Sequence, residues 1–80
     1  MTVLFFATAR DATGEARLAL EGAAGTSLGQ VVERLGREFG AQLTAVLPFC
    51  AIWVNGRPSD MSTVLSAGDE VAVLPPVSGG

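Results

Sequence analysis

Histidine and tyrosine are absent from this 80-residue chain, and cysteine occurs once, at Cys50. Lack of histidine removes the commonest general base and the commonest metal ligand, so any chemistry the protein takes part in is expected to be performed by a partner. A single cysteine allows neither an internal disulfide nor a multi-cysteine metal site, which agrees with a reducing compartment. Basic residues are few: 5 Lys plus Arg stand against 8 Asp plus Glu, for a formal net charge of −3. That balance repels phosphate backbones, so no nucleic-acid partner is expected. No apolar run reaches the roughly 18 residues a membrane span requires. The opening MTVLFFATAR carries neither a basic leader nor a cleavage site. The expectation is a soluble, cytoplasmic protein with no membrane partner.

What the chain has in quantity is apolar surface, with 49% of its residues hydrophobic. A chain this short supports one domain and buries only about 60% of its unfolded surface, so a dense core is needed. Thr2 to Arg10 is a β-branched and aromatic run that reads as a first strand, closed by the turn-forming Asp11-Ala12-Thr13-Gly14. Glu15 to Leu20 alternates, with Ala16, Leu18 and Leu20 on one face, as a second strand paired with the first in a hairpin would.

Ser27-Leu28-Gly29-Gln30 fits a capping box and starts a helix. Leu28, Val31, Val32, Leu35 and Phe39 then recur at spacings of three and four as one apolar stripe, and Gly40 stands where a C-terminal cap belongs. Gly29 and Gly36 inside that helix each cost about 1 kcal/mol relative to alanine. Ala41 to Pro48 is open between loop and a short helical turn that Pro48 ends. Cys50 to Val54 is an apolar strand followed by Asn55-Gly56, the dipeptide suited to positive φ at both centres of a tight turn. Pro58 limits the returning strand to a stub or an edge. Glu70 to Leu74 forms the last strand, ended by prolines that cannot donate to a ladder. The order is β, β, α, β, short β, β, an α+β arrangement.

One helix covers one face of a sheet, and the other ought to be polar. It is not. Val3, Phe5 and Ala7 share one face of the first strand and leave Leu4 and Phe6 on the other, while Val71 and Val73 oppose Ala72 and Leu74. With Ile52 and Val54 toward the helix, Trp53 joins Leu4, Phe6 and Leu74 on the open face, a patch of the kind that marks a partner surface. The alternative is that Trp53 folds under the segment from Ala41 to Pro48 and belongs to the core.

The chain ends on Leu74-Pro75-Pro76-Val77-Ser78-Gly79-Gly80. Residues 1–74 are expected to form the domain and 75–80 an extended tail of roughly 20 Å. The diproline holds the root of that tail away from the body, and the glycines pass a narrow channel unobstructed. A terminal carboxyl with a pKa of roughly 3.3 to 3.7 is ionised near neutrality and a poor electrophile, so it needs activation, most simply as an acyl-adenylate. A terminal Gly-Gly alone is equally a frayed end; it gains meaning by following PPVS and a GDEVA strand.

The order ββαβββ resembles the β-grasp, or ubiquitin-like, fold, and Gly68 to Gly80 (GDEVAVLPPVSGG) resembles the end of the small subunits of molybdopterin synthase. Val3-Leu4-Phe5-Phe6-Ala7 and Val54-Asn55-Gly56 extend the resemblance to that family's first strand and to its third strand and turn. What the resemblance implies is a mixed sheet of four to five strands on one main helix, and a sulfur carrier that is a non-catalytic subunit of an enzyme complex. Gly80 would be adenylated by a ubiquitin-activating-like adenylyltransferase at the expense of ATP. It would then become a 1-thioglycine thiocarboxylate with sulfur from a sulfurtransferase or cysteine desulfurase, and deliver that sulfur to cyclic pyranopterin monophosphate inside the large synthase subunit. Pro75, Pro76, Val77, Ser78 and Gly79 would thread the channel, and Leu4, Phe6, Trp53 and Leu74 would meet the large subunit, giving a heterotetramer. No metal or bound cofactor is implied. Rival readings are a sulfur carrier for thiamine thiazole, cysteine or tRNA thiolation, and a ubiquitin-like interaction module with an inert tail.

Other candidates are weaker. A persulfide on Cys50 competes with a small unreactive core residue, since no histidine or cation cluster stands nearby in sequence. Asp69 and Glu70 are adjacent, so a strand sends them to opposite sides and they do not form an acid–base pair. Arg10, Arg17, Arg34, Arg37 and Arg57 are scattered and read as solvated faces or single interface contacts. Asn55-Gly56 reads as a turn and nothing more.

Overall fold

The computed structural model describes residues 1–76. Its elements in chain order are β1 (Thr2–Phe5), α1 (Ala7–Thr13), β2 (Arg17–Ala19), α2 (Leu28–Phe39), α3 (Ala41–Val46), a 3₁₀ turn (Leu47–Phe49), β3 (Ala51–Val54), β4 (Arg57–Pro58) and β5 (Glu70–Leu74). The strands form one mixed sheet in the order β2-β1-β5-β3-β4, in which only the central pair, β1 and β5, is parallel. A parallel pair needs a long crossover, and the chain between β1 and β5 supplies it, with α2 packed on one face. This is the β-grasp arrangement expected from the sequence.

Two rows of ladder partners run across all five strands. Leu18, Val3, Val71, Val54 and Arg57 form one; Arg17, Leu4, Ala72, Trp53 and Pro58 form the other. Directly opposite residues project to the same face, so these rows define the two sides of the sheet. The first side is the core: Val3, Phe5, Val71, Val73, Ile52 and Val54 are buried together with Leu28, Val31 and Leu35 of α2. Fully burying such a side chain contributes about 1.5–3 kcal/mol, so the stripe of α2 holds the helix to the sheet. Phe5 and Phe39 meet edge to face, their ring centroids 5.7 Å apart.

The first strand is shorter than the sequence suggests. It stops at Phe5, and Ala7–Thr13 is helical where Thr2 to Arg10 was expected to be extended. Ala7 turns the chain at φ +48°, and the alanines at 9 and 12 that follow have the highest helix propensity of any residue, which outweighs continuing the β run. Ala9 and Ala12 lie three apart and both turn toward the core, while Gly14, at φ +74°, donates its N–H to Arg10 O and ends the helix. Strand β2 accordingly covers Arg17–Ala19 rather than Glu15 to Leu20. It pairs with β1 antiparallel as expected, joined through a helix instead of a tight turn.

The segment Ala41 to Pro48 resolves as α3 followed by the 3₁₀ turn, with Leu43 fully buried. Pro48 sits at the start of that turn, where its missing N–H costs nothing. At the head of α2 the capping box is present: Ser27 Oγ accepts from Gln30 N–H at 3.2 Å, and Gln30 Oε1 accepts from Ser27 N–H at 2.8 Å. The other two free donors of that helix end are taken by a loop, Leu28 N–H by Thr63 O at 2.8 Å and Gly29 N–H by Met61 O at 2.9 Å.

That loop accounts for Gly29. A Cβ there would stand 3.2 Å from Met61 O, and one at Gly36 would stand 3.2 Å from Thr44 Oγ1 of α3. The helix propensity lost at these two positions is the cost of close approach by the loop and by α3. Among the described residues no helix is long and apolar enough to cross a membrane.

Candidate functional site

Because β1 and β5 run parallel, both leave the sheet at the same end, and that end is where the tail begins. Phe6 N–H donates to Val73 O at 3.3 Å, so the ladder runs one residue beyond β1 and sets Phe6 beside Leu74. Strand β3 runs antiparallel to β5, which puts its first residue, Ala51, opposite Leu74 as well. The root of the tail is therefore bordered by the exit of β1 on one side and the entry of β3 on the other.

The face opposite α2 carries the apolar residues that the alternation assigned to it. Leu4, Trp53 and Leu74 are half-buried on it, and Phe6 at its edge is 44% exposed. Trp53 stands in the open row between Ala72 and Pro58. It does not fold under residues 41–48, whose buried side chain, Leu43, joins the core. Pro75 is half-buried and Pro76 exposed. Val77, Ser78, Gly79 and Gly80, assigned above to the tail and its reactive end, lie outside the described residues.

Phe49, two residues before Ala51 in the chain, is 72% exposed. The sequence reads Arg17 only as a solvated or single interface contact and Pro58 only as a limit on the returning strand; register sets Pro58 at the β4 edge of the open row and Arg17 at its β2 edge. No local signal marks them, because their neighbours are set by strand register. Arg17 makes no ion pair among the described residues, where the one such pair is Arg34 with Glu38.

The polar groups build support rather than chemistry. Asn55, at φ +52°, and Gly56, at φ +76°, form the tight turn that the dipeptide predicts. Asn55 does more than turn the chain. Its Nδ2 donates to Asp69 Oδ1 at 3.0 Å, its Oδ1 accepts from Glu70 N–H at 2.9 Å, and its N–H donates to Glu70 O at 2.8 Å. The second oxygen of Asp69 accepts from Ser66 N–H at 2.8 Å. The Ser66 N–H, and then the Asn55 amide, stabilise the ionised carboxylate and hold Asp69 below the usual aspartate range. Asp60 is held low by the Ser62 hydroxyl and backbone N–H, in a loop turn.

Cys50 lines an open groove of about 620 Å³ between α2 and the 3₁₀ turn. Its Sγ donates to Val46 O at 3.3 Å, and burial pushes the thiol up, so it is protonated and unreactive near neutrality. Among the described residues no three potential metal ligands gather.

The model of the ThiS family matches residues 3–80. The chain is 36% identical over 81 residues to the molybdopterin synthase sulfur carrier subunit of Mycobacterium tuberculosis, covering 100% of this chain and 96% of that one. It superimposes on a chain in the complex of subunits 1 and 2 of molybdopterin-converting factor from Helicobacter pylori with a TM-score of 0.70, at 29% identity, covering 99% and 96% of the two chains. Small archaeal modifier protein 1 of Methanosarcina acetivorans superimposes with a TM-score of 0.80, at 27% identity, covering 99% and 94%.

Proposed function

The chain belongs to the ThiS family, and from that premise we propose that it is the sulfur carrier of a molybdopterin synthase, its C-terminal glycine being the site of the cargo. The observation that carries the reading is the pairing of β1 with β5, which places exposed Phe6 beside Leu74 at the root of the tail. An apolar face thus adjoins the root of a segment suited to entering another protein's active site. On this reading the part of the globule is to present the tail to the enzymes that act on it.

The chemistry follows from the carboxylate. An oxygen of Gly80 attacks the α-phosphorus of ATP on an adenylyltransferase and pyrophosphate leaves. The resulting acyl-adenylate is an electrophile, and a persulfide held by the donor protein displaces AMP to give an acyl disulfide. A second thiol then attacks the donor's cysteine sulfur, forming a disulfide with it and releasing the thiocarboxylate, so that one oxygen of Gly80 is replaced by sulfur. The side-chain-free Gly79 and Gly80 admit this reaction in a narrow channel, and the stiff Pro75-Pro76 holds the first part of the tail away from the body. The large subunit, docked on Leu4, Phe6, Trp53 and Leu74, then receives the sulfur for a pterin precursor. Such a cycle takes place in the cytoplasm.

A second reading keeps the tail chemistry and changes the acceptor. It is favoured by the likeness to small archaeal modifier protein 1. Capture of tail-charged protein decides between them. Recovery of a pterin-processing subunit is expected, whereas recovery of a thiazole synthase, a tRNA-thiolating enzyme or protein conjugates would displace the first reading.

A further inference from the structure

Asn55 and Gly56 are both exposed and hold the two centres of the β3–β4 turn, at φ +52° and +76°. A Cβ placed at Gly56 would meet nothing within 4 Å, so water has open access to the turn. An asparagine followed by glycine carries the means of its own modification. The backbone nitrogen of Gly56, with no side chain to shield it, attacks Asn55 Cγ; a C–N bond forms, ammonia leaves, and water then opens the cyclic imide to aspartate or isoaspartate. The attack needs the Asn55 side chain to swing over the main chain toward Gly56. In the fold it is held elsewhere: Nδ2 donates to Asp69 Oδ1 at 3.0 Å and Oδ1 accepts from Glu70 N–H at 2.9 Å. Both bonds have to break before the imide closes. At their usual net worth, two such bonds make the reactive arrangement about thirtyfold rarer than in an open chain.

We propose that Asn55-Gly56 is a site of spontaneous deamidation gated by Asp69 and Glu70: the closed network preserves the amide, and each opening exposes it to conversion. The product does not restore the gate. An aspartate at 55 puts a carboxylate oxygen where Nδ2 stood, 3.0 Å from Asp69 Oδ1, so a donor gives way to a like charge. Isoaspartate routes the main chain through Cγ and lengthens by one carbon a turn whose flanking residues, Val54 and Arg57, are ladder partners. Asp69 keeps its bond to Ser66 N–H at 2.8 Å in either case, so the loss falls on the contact between the turn and the start of β5. Opening is thereby recorded irreversibly, as a looser attachment of the strand that carries the tail. The gate stands whatever cargo the tail bears.

The test holds the full-length protein at mildly alkaline pH and physiological temperature, folded and in guanidinium chloride, and follows the peptide containing residues 55 and 56 by isotope-resolved mass spectrometry. Denatured chain should convert at Asn55, and folded chain about thirtyfold more slowly. Asp69→Ala removes one of the two bonds and, with circular dichroism showing it folded, should convert about fivefold faster than the parent. Asn55→Gln, whose longer side chain closes the ring far more slowly, should show no conversion at that position. The aspartate product, isolated from aged parent or made as Asn55→Asp, should unfold at lower urea than the parent. Equal rates in folded and denatured chain would overturn the gate, as would a folded Asp69→Ala that converts no faster. Should Asp69→Ala fail to fold, the comparison of folded with denatured parent decides alone. Denatured chain that keeps its amide would overturn the site, and an Asn55→Asp protein as stable as the parent would overturn the irreversible loosening.

Discussion

Asn55 and Asp69 are joined side chain to side chain, Nδ2 donating to Oδ1 at 3.0 Å, and the bond fastens the β3–β4 turn to the start of the strand that carries the tail. The same asparagine holds φ +52° and accepts from Glu70 N–H. Asn55→Ala therefore loses the side-chain bonds and leaves a non-glycine residue without the local hydrogen bonding that favours left-handed backbone. The expected loss is about 2–3 kcal/mol, read from urea unfolding. Asn55→Gly keeps the turn and loses only the bonds, so it should fall between the two. An Asn55→Ala protein as stable as the parent would mean the network is ornamental.

Acid should weaken the fold through the same network. Asp69 is held below its usual range by Ser66 N–H and the Asn55 amide, so its ionised form is favoured in the folded state. A depressed carboxyl pKa contributes stability that is present above the unfolded value, about 3.9, and is lost as pH falls through the folded one. Unfolding midpoints measured downward from about pH 5 should decline, and Asp69→Asn should flatten part of that decline while lowering the plateau near neutrality. Asp60, also held low, adds to the slope, so the flattening should be partial.

Docking and folding can be separated at Phe6. It occupies the N-cap position of α1 in extended conformation and makes no side-chain cap bond. Aspartate is among the best N-cap residues, so Phe6→Asp should hold stability to within about 1 kcal/mol. The same change places a carboxylate in the apolar face and should weaken binding of the large synthase subunit by at least about tenfold. Calorimetric titration against that subunit, with circular dichroism melting beside it, reads both. An unfolded variant would assign Phe6 to the core instead.

The central features of the fold were legible because they depend on local chemistry. Ser27 and Gln30 announce the head of α2 by their spacing, the stripe Leu28, Val31, Leu35 gives its buried face, and Asn55-Gly56 gives the hairpin. Alternation alone assigned Leu4, Phe6, Trp53 and Leu74 to one side. The reading failed where tertiary packing or competing propensity decided. Ala7 to Ala12 extends a β-rich run in sequence, yet alanine is indifferent to that company and folds as a helix under the sheet's end. Gly29 and Gly36 weaken the helix by propensity, and only the tertiary fold brings Met61 and Thr44 against them. Arg17 and Pro58 acquire meaning from strand register, since the pairings of Leu4 with Arg17 and Trp53 with Pro58 bring them to the open face. Residues 77–80 lie outside the described residues, so the proposal that Gly80 is the reactive end rests on the sequence and the resemblance.

The most direct measurement is the intact mass of the full-length protein after incubation with ATP, a sulfur donor and its adenylating enzyme, followed by fragmentation to locate the change. One oxygen replaced by sulfur at Gly80, and no such change in a variant extended by one residue beyond it, is the expected result. An unchanged mass with an adenylating enzyme proven active on another carrier, or sulfur found on Cys50 instead, would contradict the account.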